Sequence, residues 1–488
     1  MNRLSLHLPR RRGIVVVALV WLALPVIAQF PRETYLGVFA GPTRVGYMQV
    51  KTDKADHDGK PGYRIETTLK TKMNLMGADM TQDISSIIDT DDMGAPLTET
   101  FVMSSGGSVT KIEARCFADR VECKLQSGES VTSKTIPVPA GLQLVSDPML
   151  SLSAKPLEVG QKLKVAYFDP LMMSVDKLDI EVLRKEIVDL GSVFKGETLV
   201  VKSVTMLGDI TTWQEANGDI VKAETLMNIT MVRETREQSL ASLKQPEEKP
   251  ALDFAVMTSV KANIDLPNPR KVTKLNVRLV GIPGLDRVIS DRRQRATASA
   301  AADGKYDVDY EIKTTAFDPK KSIGLPVKLP GLAHLLDESP YIEVSNPEIQ
   351  ATAKQILGGE KKAYAAARKI SRWIKANMVP QTDIGVVRSS VEVLKSRRGV
   401  CRDYAILFAS LARAAGIPTR LAAGLVYING GFYYHVWDEC FVGEWTPFDP
   451  TIDGDFVDAT HIKLAQGEAT AMFEMAKVIG GLKAEIKR

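Results

Sequence analysis

Between Glu33 and about Arg236, apolar residues recur at alternate positions in short runs broken by turn residues. The runs cover 35–40, 45–51, 63–72, 84–89, 97–103 and 111–116, then 199–206, 210–215 and 221–229. A period of two sends successive side chains to opposite faces, so each run predicts a strand with one apolar face. Together they predict an antiparallel β-rich domain over residues 31–240, built as a strongly curved sheet or half-barrel. Met73, Met76, Met80, Met172 and Met173 cluster within it. Their flexible thioethers are expected to fill gaps in its core rather than line an apolar pocket.

A polar, proline-bounded joint at 237–250 leads to a second β-rich domain over 251–335, with strands expected at 254–264, 274–280 and 306–314. Residues 291–304, charged and then alanine-rich without apolar periodicity, predict an exposed loop. Arg292, Arg293 and Arg295 then form a solvated face. After a second proline-containing connector at 319–330 the period changes. Asn346 can cap a helix with Pro347 at its first position, and 360–378 predicts a helix burying Tyr364, Ala367, Ile370, Trp373 and Ile374. Ser389 and Glu392 make a capping box for a short helix ending near Gly399. The apolar run 401–415 predicts a buried helix that stops at Gly416 and Pro418. Residues 420–428 and 432–442, joined by Asn429-Gly430-Gly431, read as paired strands, and 472–482 as a helical face packing back on this last region.

This third region, 340–488, holds the chemistry. Cys401 opens its helix, where unpaired N–H groups and the helix dipole favour an anion, and Arg397, Arg398 and Arg402 add positive charge. Both favour the thiolate. His435 lies on the second strand, with Trp437 and Glu439 on its face and Val436, Asp438 and Cys440 on the other, so Asp438 is a poor partner for its ring. Asp449 follows Trp445-Thr446-Pro447-Phe448, a short strand that can return beside the histidine. The intervals, 435 − 401 = 34 and 449 − 435 = 14 residues, allow a helix plus a strand and then a hairpin return. Thiol, imidazole and carboxylate in that order follow the nucleophile, base and orienter logic of acyl transfer. Three ligands without a close CxxC or HxxxH pair make a weak zinc signature, and no metal or cofactor is expected. His461 is read as structural or rim.

The motifs RGVCRDYAILFASLARAAGIPTR, HVWDECF and GEWTPFDPT resemble the transglutaminase-like superfamily, over roughly residues 340 to 470. The resemblance implies a papain-like core in which Cys401 is the nucleophile, His435 the general base and acid, and Asp449 the residue aligning the ring. The whole chain is then α+β multidomain: antiparallel β-rich N-terminal and middle regions followed by a transglutaminase-like domain. The expected reaction is a cysteine thioester formed from a glutamine side chain or peptide amide of a protein or peptide substrate. Water would resolve it as a peptidase or amidase, or an amine as a cross-linker. The alternative is a catalytically silent binding or scaffold protein.

Composition narrows the setting. A net charge of +4 over 63 basic and 59 acidic residues, without basic runs interleaved with aromatics, excludes a nucleic-acid groove. Arg10, Arg11 and Arg12 precede an apolar run over 14–27 and then Ala28, the pattern of a secretory signal peptide over 1–28. The run is shorter than the ~20 residues of a comfortable membrane span. The expectation is a periplasmic or secreted protein, with membrane attachment only if the signal stays uncleaved as an inner-membrane anchor. Four cysteines are too few for a disulfide scaffold. Cys116 and Cys123 would face each other across a hairpin turning at Asp119-Arg120, either as a disulfide or as packed thiols, and Cys440 is a core residue.

Overall fold

A computed structural model describes residues 30–75, 77–146, 157–205, 208–241, 253–301, 304–452 and 457–487. The segment expected to be a signal peptide, 1–28, lies outside them, as do Met76 and most of the 237–250 joint. Among the described residues no helix is long and apolar enough to cross a membrane.

The N-terminal runs form one sheet of fifteen strands. From Arg32–Ala40 the chain steps outward through antiparallel neighbours to Ser130–Pro137. It then crosses to the opposite edge at Leu144–Val145 and returns, until Ile229–Glu234 pairs with Arg32–Ala40. The sheet is curved enough to bring its ends together: Lys134 Nζ, on one edge strand, donates to Met173 O, 3.1 Å away near the other. Leu125, Ile136, Phe168 and Met173 consequently share one core. Met172 and Met173 are buried, as gap-filling requires. In the Arg120–Ser127 hairpin Cys123 faces Ala114, and Cys116 faces Val121. The two cysteines are thus offset along the ladder rather than opposed, and both are free thiols.

The middle region forms a four-stranded sheet ordered Gln294–Ala300, Tyr306–Lys313, Lys274–Ile282, Lys483–Lys487. Two expectations fail here. The expected loop at 291–304 contains the strand Gln294–Ala300, because pairing with Tyr306–Lys313 supplies the order that its small side chains cannot. Arg293 is buried rather than solvated, and donates to Asp458 O at 2.8 Å. The expected strand at 254–264 is instead a helix, Phe254–Thr258, capped by Asp253, followed by the two-residue strand Val260–Lys261. That strand pairs with Gly431–Phe441, and the C-terminal strand Lys483–Lys487 pairs with Lys274–Ile282. Middle and C-terminal regions therefore exchange strands in both directions.

The C-terminal region packs helices Pro347–Leu357, Ala363–Asn377 and Ser390–Ser396 around a central helix, Cys401–Ala414. Asn346 caps the first through Glu348 N, and Ser389 caps the third through Glu392 N. The central helix is almost wholly buried. Tyr404, Leu407, Phe408 and Leu411 face the neighbouring helices, while Ala405, Ile406 and Ala409 face a five-stranded sheet. In that sheet Gly431–Phe441 pairs with Thr419–Ile428 on one side, and with Val260–Lys261 and Trp445–Phe448 on the other.

Candidate active site

Cys401 is the first residue of the central helix, and the helix start is fixed from below. The Val400 N–H donates to Asp403 Oδ2 at 2.9 Å, and the buried Asp403 carboxylate pairs with Arg388. Beside the cysteine, Arg402 donates to Ile384 O and Val386 O at 2.6 and 2.7 Å, which ties the helix to the segment before it. The parallel pair Val379–Pro380 and Arg398–Gly399, with Gln381 N donating to Gly399 O at 2.9 Å, runs alongside.

The other two predicted residues arrive from the sheet. His435 sits midway along Gly431–Phe441, its ring near-parallel to Trp437 with centroids 6.2 Å apart. Asp449 follows the short strand Trp445–Phe448, where antiparallel pairing turns it back beside His435. His435 Nε2 lies 2.7 Å from Asp449 Oδ2. That bond leaves Nδ1 as the ring nitrogen free to serve the thiol. Asp449 Oδ1 accepts from Thr451 N at 2.9 Å and Thr451 Oγ1 at 2.5 Å. Cys401, His435 and Asp449 are brought together; Asp438 is not, lying on the opposite strand face with both carboxylate oxygens buried and without a hydrogen bond.

Electrostatics separate Cys401 from the other thiols. Burial pushes its pKa up, but the His435 hydrogen bond and charge, a Val436 backbone bond and the Arg402 charge together bring it below the ordinary value. Burial drives Cys116 up to about 12, and it outweighs Lys134 at Cys123, up to about 11, and Thr419 and Arg413 at Cys440, which is raised as well. Burial also opposes the charged form of His435. The Asp449 charge and hydrogen bond, with Cys401, outweigh it and lift the ring to about 10. Burial works against the ionised Asp449 too, yet His435 and then His461 hold its carboxyl far below the usual range. Asp438 is raised well above a normal carboxyl, by burial and then by Asp449, which disfavours a competing charge there. These shifts favour a thiolate–imidazolium pair backed by an anion, the state suited to nucleophilic attack on a carbonyl carbon.

His461, expected to be structural or at the rim, is completely buried rather than at the rim, with Nε2 at 3.1 Å from the same Asp449 Oδ2. The available signal was Asp458-Ala459-Thr460-His461, a carboxylate three residues before a second histidine just past the matched motif. His435, Asp449 and His461 could also hold a metal ion, with ligand atoms all within 4.8 Å of one another. Both imidazole nitrogens already bond one carboxylate oxygen, so an ion would have to displace those contacts. A cavity of about 330 Å³ adjoins Asp449, between Pro447–Ile452 and a helix face carrying Arg368, Ser371, Arg372 and Lys375.

Residues 350–450 match the transglutaminase-like superfamily, so the C-terminal region carries a transglutaminase-like domain, of a superfamily that includes thiol enzymes. Residues 34–231 match a second family, described as "Protein of unknown function (DUF3108)". An uncharacterized protein of Mycobacterium leprae (strain TN) is 28% identical over 167 residues, covering 30% of this chain and 57% of that relative's length. Among solved structures, one provisionally described as a cysteine protease from Cytophaga hutchinsonii superposes with a TM-score of 0.32 and 18% identity, over 44% of this chain and 85% of its own. Another, provisionally described as a protease from Parabacteroides distasonis, gives 0.22 and 12% identity over 82% and 70%. Superpositions at these scores carry no weight for fold or activity.

Proposed function

We propose that this chain is an exported cysteine-dependent acyl-transfer enzyme whose papain-like C-terminal domain uses Cys401 as nucleophile, His435 as base and then acid, and Asp449 as orienter. The observation that carries this reading is the alignment of a depressed thiol, a raised imidazole and a carboxylate 2.7 Å from the ring. The thiolate adds to the carbonyl carbon of a glutamine side chain or peptide amide. The oxyanion that forms is met by the Cys401 backbone N–H at the helix start. Gln381, whose backbone is held against Gly399, is the candidate for a second donor. The imidazolium gives its proton to the departing amine, the C–N bond breaks and a thioester remains. Water, deprotonated by the now neutral His435, attacks the thioester carbonyl, releases the acid and regenerates the thiol. An amine in place of water would give a cross-link. Water is always present and no sequence feature marks an amine-binding cleft, which favours hydrolysis. The basic-apolar-small N-terminus favours the periplasm as the site of action.

The test is to incubate the purified protein with glutamine-containing peptides, quench in acid and map adducts by mass spectrometry. A hydroxylamine-labile acyl adduct on the Cys401 peptide, absent in Cys401→Ala, is the expected result. Turnover persisting in Cys401→Ala would overturn the mechanism.

A further inference from the structure

We infer that His461 is a second positioning histidine of this site, sharing Asp449 Oδ2 with His435 and so helping to keep the carboxylate turned toward the reacting pair. The inference rests on the function proposed above and extends it past the three motif residues.

Three observations carry it. First, His461 Nε2 and His435 Nε2 converge on one oxygen, Asp449 Oδ2, at 3.1 and 2.7 Å. Thr451 occupies the other oxygen through its N–H and hydroxyl. The carboxylate is thus held by four donors, and His461 is the second imidazole on Oδ2. Second, His461 is itself locked. Its side chain has no exposed surface and its ring meets Trp437 edge-on at 5.3 Å, while Nδ1 sits 3.4 Å from Asp458 Oδ1 without a hydrogen bond. Third, Asp458 is anchored in turn. It accepts from Thr460 N and Oγ1 at 2.8 and 2.5 Å and pairs with Arg270 at 2.8 Å. Arg270 comes from the middle region, where it also donates to Tyr427 O. Donation to Asp449 uses the Nε2–H tautomer, so Asp458 beside Nδ1 and the Trp437 ring hold the imidazole by packing rather than through a second donated hydrogen bond.

The charged and titratable groups facing the reacting pair are Arg402 on the helix of Cys401, Asp449 after the short strand, Asp438 behind Asp449, and His461. Removing the His461 donor leaves Oδ2 of Asp449 to His435 alone and loosens the carboxylate, which weakens its hold on the His435 cation and thereby on the Cys401 thiolate.

The experiment is iodoacetamide alkylation of Cys401 across pH, read by peptide mass, in wild type, His461→Leu, His461→Asn and His461→Gln. Gln can still place an N–H near the Nε2 position; Leu cannot donate, and Asn, smaller and polar, is too short to reach. The expected result is an alkylation midpoint raised by about one pH unit in the Leu and Asn variants, the scale of one lost hydrogen bond, and retained in Gln. Low-field proton NMR is expected to lose the His461 imidazole resonance in all three variants, and to keep the His435 resonance at its wild-type position in the Gln variant alone. A midpoint unchanged in whichever of Leu and Asn folds, or a Gln variant shifted as far as they are, would overturn the role of His461. An ordinary thiol midpoint in the wild type would instead overturn the proposed function.

Discussion

Asp449 accepts four hydrogen bonds, one of them from the imidazole that serves the thiol. Replacing it with asparagine keeps the shape and removes the charge that lifts His435. Asp449→Asn is therefore expected to slow acyl transfer by on the order of 10³–10⁴-fold with little change in secondary structure, measured as turnover and by circular dichroism. The pH dependence follows from the same shifts. In the proposed mechanism the active thiolate–imidazolium pair would exist above the depressed pKa of Cys401 and below that of His435, about 10. Turnover should therefore be bell-shaped, with an acid limb below that of a free thiol, about 8.5, and an alkaline limb near 10. For stability the sign is set by direction. The raised His435 stabilises fully below its unfolded pKa, about 6.5, and loses that contribution as pH rises through about 10. The depressed Asp449 stabilises above its unfolded pKa, about 3.9, and loses its contribution in strong acid. The residues themselves were legible: Cys401, His435 and Asp449 each stand beside local signals of helix start, strand alternation and strand end. His461 was not, because its partner Asp449 is twelve residues away and only the return of Ile462–Gly467 into the sheet buries it.

The helix of Cys401 is where packing and chemistry meet. Phe408 is fully buried and stacks on Phe448, ring centroids 5.6 Å apart, immediately before Asp449. Phe408→Ala is expected to cost about 3–5 kcal/mol by urea unfolding and to slow turnover as well, because the cavity loosens the support under Asp449. A loss of stability with turnover intact in the folded fraction would separate the two effects and contradict this coupling. Elements with strong local signals, such as the capped helices at Asn346 and Ser389, were readable from sequence. Gln294–Ala300 was not: Ala296, Ala298 and Ala300 give no apolar contrast, and the strand exists through its neighbour and through Gln294, whose side chain bonds Ile289 O and Lys463 O. Lys483–Lys487 was missed for a related reason, since its partner strand, Lys274–Ile282, lies some two hundred residues upstream.

The large sheet does not stand apart from the chemistry. Its hairpins grip residues 383–395: Thr110 Oγ1 donates to Val387 O at 2.7 Å, and Ser127 Oγ accepts from Ser389 N at 2.9 Å. Gly385 N donates to Ser105 Oγ at 3.0 Å, and Lys395 pairs with Glu129. Gly106 turns with φ +57°, and a Cβ there would come within 2.8 Å of Asp383 O. From Ile384 and Val386 the contact passes to Arg402, next to the thiol. Thr110→Val leaves a buried carbonyl without its donor, a cost of about 1–3 kcal/mol. It is expected to reduce the alkylation rate of Cys401 although residue 110 lies in another sheet; an unchanged rate would show that the sheet does not hold this segment in place. The strands of this sheet were legible because each alternates on its own, but the grip was not, since it depends on which hairpin tips meet which loop.

The measurement that bears most directly on the whole is the rate of alkylation at Cys401 as a function of pH, with the other three cysteines as internal references. Cys116, Cys123 and Cys440 are raised by burial and should stay unreactive until strongly alkaline pH. Cys401 should react selectively, with a midpoint below the ~8.5 of a free thiol. A Cys401 midpoint at or above that value, or reaction no faster than at the buried thiols, would contradict the thiolate–imidazolium pair and the acyl-transfer function built on it.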